Sequence, residues 1–367
     1  MIRYIRTAKA ADLSGVALLR LDFNTEDEWR LAATVPTVKL LAARADKVVI
    51  VSHRGRPDGK NNRKLSLRRD ATLLGRRLGR PVTFMPHFRF AEIARMVRNA
   101  PRHSIFLLEN IRFVKGEDTN DPKLARALAG LADYYVNDSF AVDHRANAST
   151  VAVTKFLPSY AGLEIEKEIA YLSGVLRRPQ KPLVLIVGGA KAHDKLGVIE
   201  QFKSKAKAVL VGGGSANTLL ALNGVDVGSS LVDRDKKDIA KLKKTLRHRN
   251  VILPVDWRMD NGRILDIGPK TSKIFVQRIA SARTIIWSGP MGLIERKKFE
   301  HGNLAVAKAI AANRRAFSLT GGGETVAFLK KHKLDKKFSF ISTGGGAFLE
   351  FLAGEKLPAI EALKRAR

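Results

Sequence analysis

The sequence predicts an α/β protein made of two doubly wound, Rossmann-like parallel-sheet domains joined by a bridging helix and hinge. Short apolar runs alternate with helix-period stretches along nearly the whole chain, the pattern of a parallel sheet with helices on both faces. A length of 367 residues suits two domains at roughly 150 residues each. Four apolar runs in the second half stop at glycine clusters: LVLIVGGAKAHDK, AVLVGGGSAN, AFSLTGGGET and FSFISTGGGA. Strand ends of this kind are where doubly wound folds place their ligands.

In chain order, GVALLRLDFN reads as strand then loop, WRLAATVPTVKLLAARA as helix, KVVIVSHRGRP as strand then loop, and LSLRRDATLLGRRLG as helix. PVTFMP, SIFLLENIRF and DYYVNDSF continue as strands, with AEIARMVRNA and DPKLARALAGLA as the helices between them. GLEIEKEIAYLSGVLRR, bounded by Gly162 and PQKP, is the bridging helix. The second half repeats the plan with LVLIVGG, AVLVGGG, VILPVD, TIIWSGP, FSLTGGG and FSFISTGG as strands. The expected division is 1–162 for the first domain, 163–180 for the helix and hinge, and 181–351 for the second domain, with a tail at 352–367.

Composition narrows the function classes. The chain has no cysteine, which excludes disulfides and thiolate metal sites and fits a reducing cytoplasm. The opening MIRYIRTAKAADLSG lacks the apolar core of a signal peptide, and no run approaches the ~20 apolar residues that span a bilayer. The formal net charge is +31, and a basic surface is the electrostatic footprint of nucleic-acid binders. The excess is spread along the chain, however. Residues 1–180 carry 31 Lys/Arg against 19 Asp/Glu, and residues 181–367 carry 35 against 16. No RNA- or DNA-binding motif accompanies it, so any nucleic-acid contact is expected to be non-specific.

The two halves carry different chemistry at their strand ends. In the first, RLDFN offers Asp22 and Asn24 followed by Arg30, SHRGRP offers His53 and Arg56, ENIRF offers Arg112, and VDHRANAS offers Arg145. Guanidinium forks on several such loops suit a small, multiply charged anion. In the second, glycines let backbone approach a ligand, and Lys191 and Lys195 add charge towards a phosphate chain. Neither G-x-x-x-x-G-K-[ST] nor G-x-G-x-x-G is present. An anion pocket in one half and a nucleotide pocket in the other suggest phosphoryl transfer.

Taken in order, RLDFN, SHRGRP, LLENIRF, YVNDSFAVDHRANAST, GGAKAHDKLGVIE, GGGSANTLL, DIGPKT, WSGPMGLIE, GGGET and ISTGGGAFLEFL closely resemble the signatures of the phosphoglycerate kinase family. The resemblance covers about residues 10 to 362. It implies a phosphotransferase with a carboxyl acceptor, moving the acyl phosphate of 1,3-bisphosphoglycerate to MgADP in glycolysis. It also implies a cytoplasmic monomer that bends at its hinge, with the tail packed on a phosphoglycerate-binding N-terminal domain. By motif, Asp22, Asn24, Arg30, His53, Arg56, Arg112 and Arg145 would bind the phosphoglycerate. Lys191, Lys195, Glu295, Glu324 and Thr325 would serve the nucleotide, walled by Gly212, Gly213, Gly214, Gly321, Gly322, Gly323, Gly344 and Gly345. Arg30 and Lys191 would be catalytic, and Glu324 would serve the magnesium, mainly through the nucleotide phosphates.

Four positions depart from the family pattern. Glu324 stands where aspartate is usual, Ser288 where asparagine is usual, Asp143 where a small residue is common, and Asn147 where histidine is common. The extra carboxylate of Asp143 is expected close to Arg145, weakening the anion site. An impaired family member that binds nucleotide or a polyanion such as RNA is the alternative.

Overall fold

The computed structural model describes residues 1–233 and 236–366, with the side chains of 236–238 not described. The chain divides into two compact units, Met1–Ala170 with Lys356–Arg367, and Tyr171–Glu355.

In the first unit, strands β1 (Val16–Arg20), β2 (Lys47–Val51), β3 (Thr83–Met85), β4 (Ser104–Leu108), β5 (Tyr134–Asn137) and β6 (Ser159–Ala161) form a six-stranded sheet, order β3-β4-β2-β1-β5-β6. Every pairing is parallel. Strand β1 is a nearly continuous buried run, as a strand covered on both faces requires. Its neighbours are fed by helices α1 (Glu28–Arg44), α2 (Arg68–Leu78), α3 (Phe90–Asn99) and α4 (Pro122–Ala129). Helix α1 continues through Pro36. Helix α4 starts on Asp121, whose carboxylate accepts the Lys123 N–H at 2.8 Å, with Pro122 at the first helical position. Leu19, Leu41, Val48, Leu74 and Ile105 are among the residues of its apolar core.

Helix α5 (Leu163–Arg177) follows β6, and Asp138 Oδ1 accepts the Glu164 and Ile165 N–H groups at its start. Strand β6 was not expected from the sequence. It is three residues long, too short for a period to show, and its place is set by pairing with β5.

The second unit repeats the arrangement. Strands β7 (Leu183–Val187), β8 (Ala208–Val211), β9 (Val251–Ile252), β12 (Thr284–Ser288), β13 (Phe317–Gly321) and β14 (Phe340–Ile341) form a parallel sheet in the order β14-β13-β12-β7-β8-β9. Between β9 and β12 lies a ribbon the sequence reading missed, β10 (Trp257–Asp260) paired antiparallel with β11 (Arg263–Ile267). Asn261 and Gly262, both at positive φ, turn it, and an Asn-Gly pair between strand-like runs is a strong hairpin signal. Helices α6 (His193–Phe202), α7 (Gly213–Leu222), α8 (Lys236–Thr245), α9 (Pro269–Ala280), α10 (His301–Ala312), α11 (Gly323–Lys331) and α12 (Gly346–Leu352) complete the unit. Helix α13 (Pro358–Arg365) belongs to the first unit, where the Ala359 N–H donates to the Asp143 carbonyl at 3.1 Å.

Phe275 on α9 is fully buried in the second unit's core beside Ile285 and Trp287. Phe275→Ala should cost about 3–5 kcal/mol. Urea denaturation followed separately in the two units should show the second unit's midpoint falling while the first unit's holds.

Candidate functional site

Parallel pairing brings the expected anion residues onto neighbouring strand ends. Asp22 and Asn24 follow β1, His53 and Arg56 follow β2, Arg112 lies in the turn after β4, and Arg145 lies after β5. Those four strands are adjacent, in the order β4-β2-β1-β5. Arg30 sits in the first turn of α1, where its Nη2 meets Asp22 Oδ2 at 2.6 Å. Asp22 Oδ1 also accepts the Asn24 N–H at 3.0 Å, and Asn24 Oδ1 accepts the Gly55 N–H at 2.8 Å. The two loops are thereby stitched together.

The residue at the centre of this pocket is one the sequence reading passed over. Arg20, the last residue of β1, is 1% exposed. Its Nε donates to Ser149 Oγ at 2.9 Å, Nη1 donates to the Leu21 carbonyl, and Nη2 lies 3.2 Å from His53 Nδ1. Ser149 in turn donates to the buried Glu117 at 2.6 Å. An arginine inside the apolar run VALLRLDF was the available signal, because a charge there needs partners.

His53 is itself 1% exposed. Burial first, then the charges of Arg20, Arg112, Arg145 and Arg30, hold its pKa well below the ordinary 6.5. It is a neutral imidazole at pH 7. Arg112 donates to the Gly55 carbonyl at 2.7 Å and lies 3.3 Å from Asp118. Arg145 is half-buried, with Nε 3.2 Å from His144 Nε2. Arg56 is exposed and is drawn into this network by no side-chain bond among the described residues.

The carboxylate expected to disturb Arg145 points elsewhere. Asp143 is fully buried, and its Oδ1 accepts from Asn137 Nδ2 at 2.7 Å. Burial raises its pKa to about 7. Asn147 donates to the Glu117 carbonyl and to Asp118 Oδ1 at 3.0 Å, so it braces the loop.

In the second unit the glycine runs follow β7, β8, β13 and β14, whose sheet also contains β12 between β13 and β7. They divide into two kinds. Gly212 and Gly213 are closely packed: a Cβ on Gly213, at φ +58°, would come within 2.7 Å of the Pro290 carbonyl, and one on Gly212 within 2.6 Å of the Met291 side-chain Sδ. Gly321 is closed over by the Phe348 ring. Gly322, Gly323 and Gly345 have nothing within 4 Å of that position and leave backbone open. Gly344 donates its N–H to Ser342 Oγ at 3.0 Å.

A cleft of about 680 Å³ is lined by Gly213, Gly214, Glu295 and Glu324. Its other wall includes Trp257, Arg263 and Asp266 of the unexpected ribbon. Asp266 begins the DIGPKT motif, which the sequence reading noted without assigning a residue of it. Ser288 is buried at the end of β12. Thr325 Oγ1 is already engaged, accepting the Gly289 N–H at 3.1 Å.

Lys191 is exposed and precedes α6, which starts at His193, so it does not share a helical face with Lys195. Lys195 lies in the first turn, half-buried, and burial lowers its pKa against the opposing pull of Asp194 and Glu324. Among the described residues no three His, Asp or Glu side chains gather to cage a metal.

Arginines gathered at the strand ends of one α/β unit and a glycine-walled cleft in the other suit the class of phosphotransferases. The family model described as phosphoglycerate kinase matches residues 14–355. The phosphoglycerate kinases of Pseudothermotoga lettingae and Trichodesmium erythraeum are each 41% identical to this chain. The first alignment covers 97% of this chain and 98% of the relative, and the second 98% of both. The structure of phosphoglycerate kinase from Coxiella burnetii matches with a TM-score of 0.85 at 33% identity, covering 100% of both chains. The chain belongs to the phosphoglycerate kinase family.

Asp143 binds its proton more tightly folded than unfolded, with a pKa raised from 3.8 to about 7. Stability should therefore fall as pH rises through that window, at up to about 1.4 kcal/mol per pH unit. Subtracting the pH–stability profile of Asp143→Asn from that of the wild type should isolate this slope, and a flat difference would remove the assignment.

Proposed function

We propose that this chain reversibly transfers the acyl phosphate of 1,3-bisphosphoglycerate to MgADP, giving 3-phosphoglycerate and MgATP, as a cytoplasmic monomer. Among the described residues no helix is long and apolar enough to cross a membrane. The observation that carries the reading is the arrangement of Arg20, Arg30, Arg112 and Arg145 about a neutral His53. Such a cluster suits a small, multiply charged anion.

In this reading the anion binds to Arg30, Arg112 and Arg145, with Arg56 free to swing onto it and Asp22 and Asn24 ordering the loops. His53 takes part as a hydrogen-bonding group. It has no proton to remove in the reverse direction, because a carboxylate oxygen is already ionised at neutral pH. The nucleotide lies in the cleft beside Gly213, Gly214 and Glu295, its phosphates directed to Lys195, Lys191 and the open backbone of Gly322, Gly323 and Gly345. The start of α11 adds N–H groups suited to phosphate.

Magnesium arrives as part of the nucleotide substrate and neutralises phosphate charge. It usually needs only one or two carboxylates beside the phosphates. Glu324, exposed in the same cleft, fits that need. Arg30 and Lys191 balance the charge of the phosphoryl group during in-line transfer.

The test is a coupled assay with 3-phosphoglycerate and MgATP. Wild type should turn over, and Lys191→Ala should lose about 100-fold or more in kcat. Glu324→Asp should retain activity with a changed magnesium dependence. Absence of turnover in the wild type with nucleotide still bound would instead indicate the binding-protein alternative.

A further inference from the structure

The cleft of the second unit has two unlike parts. Gly189, Ala190 and Glu324 line it where the loop carrying Lys191 leaves β7, whereas Val232, Trp257 and Ile264, which pack in one apolar cluster, line it at the β10–β11 ribbon. Helix α7 runs between the two. Its first residue, Gly213, lies against Gly189, and Asn217, one turn or about 6 Å further on, meets Ile264.

Most polar groups at the ribbon end are engaged within the protein. Ser230 Oγ accepts the Ile264 N–H at 2.8 Å and donates to the Val227 carbonyl. Asp266 accepts the Ile267 N–H on Oδ1 and the Gly302 N–H on Oδ2, both at 2.9 Å. Ser229 Oγ donates to the Asn261 carbonyl at 3.3 Å. Trp257 and Arg263 carry donors only and are not buried, so water can satisfy them.

Asn217 differs. It lines the cleft, is 4% exposed, and donates from Nδ2 to the Ile264 carbonyl at 3.4 Å. Its Oδ1 accepts no hydrogen bond among the described residues and is not sealed from solvent. The Ile264 carbonyl also fixes which way the amide faces. Turning it over would set Oδ1 against that carbonyl, two acceptors in contact, and would forfeit the bond.

We propose that Asn217, in a cleft read as the nucleotide site, selects adenine by accepting the amino group at purine C6 on Oδ1. Hypoxanthine and guanine carry a carbonyl oxygen at that position. It would face Oδ1 as a second acceptor and leave both without a donor, and the locked amide cannot turn to suit it. A largely buried acceptor left unpaired costs more than its hydrogen bond gains, so discrimination comes chiefly from rejection of the 6-oxo bases.

Isothermal titration with the magnesium complexes of ADP, IDP and purine riboside diphosphate tests this without requiring turnover. IDP exchanges the amino group for a carbonyl, and purine riboside diphosphate removes it alone. ADP should bind one site per chain, at least about tenfold tighter than IDP, with purine riboside diphosphate between them. Asn217→Leu should weaken ADP about tenfold while holding IDP within about threefold, the IDP affinity reporting an intact cleft. Asn217→Ala, which adds no bulk, should narrow the ADP-to-IDP ratio in the same way. Equal affinity for ADP and IDP in the wild type, or a ratio undiminished in both variants, would overturn the proposal. Selective binding of ADP by a protein without turnover would count against the kinase reading and support this one, whereas turnover with equal binding would do the reverse.

Discussion

Parallel pairing is the constraint on which both sites depend. In the first sheet Arg20 is level with Val51 on one side and with Asn137 on the other. The residues that follow, Asp22, His53 and Asp138, therefore leave the sheet along one edge. In the second sheet Ser288 is level with Val187 and Gly321, and Val187 with Val211. Gly188, Gly212, Gly289 and Gly322 consequently emerge side by side. Residues far apart in sequence become neighbours because hydrogen-bond register fixes where each strand stops.

That grouping places like charges together, and the surroundings compensate unevenly. Arg20 is held by Ser149, the Leu21 carbonyl and His53, with Glu117 one hydrogen bond further on. Burial pushes Glu117, Asp138 and Asp143 towards their protonated forms and His53 towards neutrality. The interior thus limits its own ionic content, a general response of buried groups. The large positive excess of the chain is a property of its exposed side chains, spread over both halves of the sequence.

The sequence disclosed the long, apolar elements well. LVLIV and TIIWS are buried at every position, and a run bounded by glycine has few other readings. Among the short elements, β9 and β14, two residues each, fall within the apolar runs VILPVD and FSFISTGG that were read as strands, whereas β6 escaped because it owes its form to a neighbour. The strand-end placement of candidate residues was legible where motif and strand end coincided, as for Asp22 and His53. Arg20 was passed over, although a charge inside the apolar run VALLRLDF is the mark of a guanidinium that must be buried with partners. The glycines show the same limit. Spacing indicated close approach, and only packing separates Gly212 and Gly213, which are closed over by Met291 and the Pro290 carbonyl, from Gly322 and Gly345, which remain open.

The return of Lys356–Arg367 to the first unit has a consequence for synthesis. Strands β1 to β6 have all been synthesised by residue 161, yet the helix that covers Asp143 follows only after the whole of Tyr171–Glu355 has been made. The second unit is contiguous and can condense while the first still lacks a piece. Until α13 docks, the nascent first unit leaves the faces that receive Ile360 and Leu363 uncovered, a window in which a chaperone or a neighbouring nascent chain has access to them.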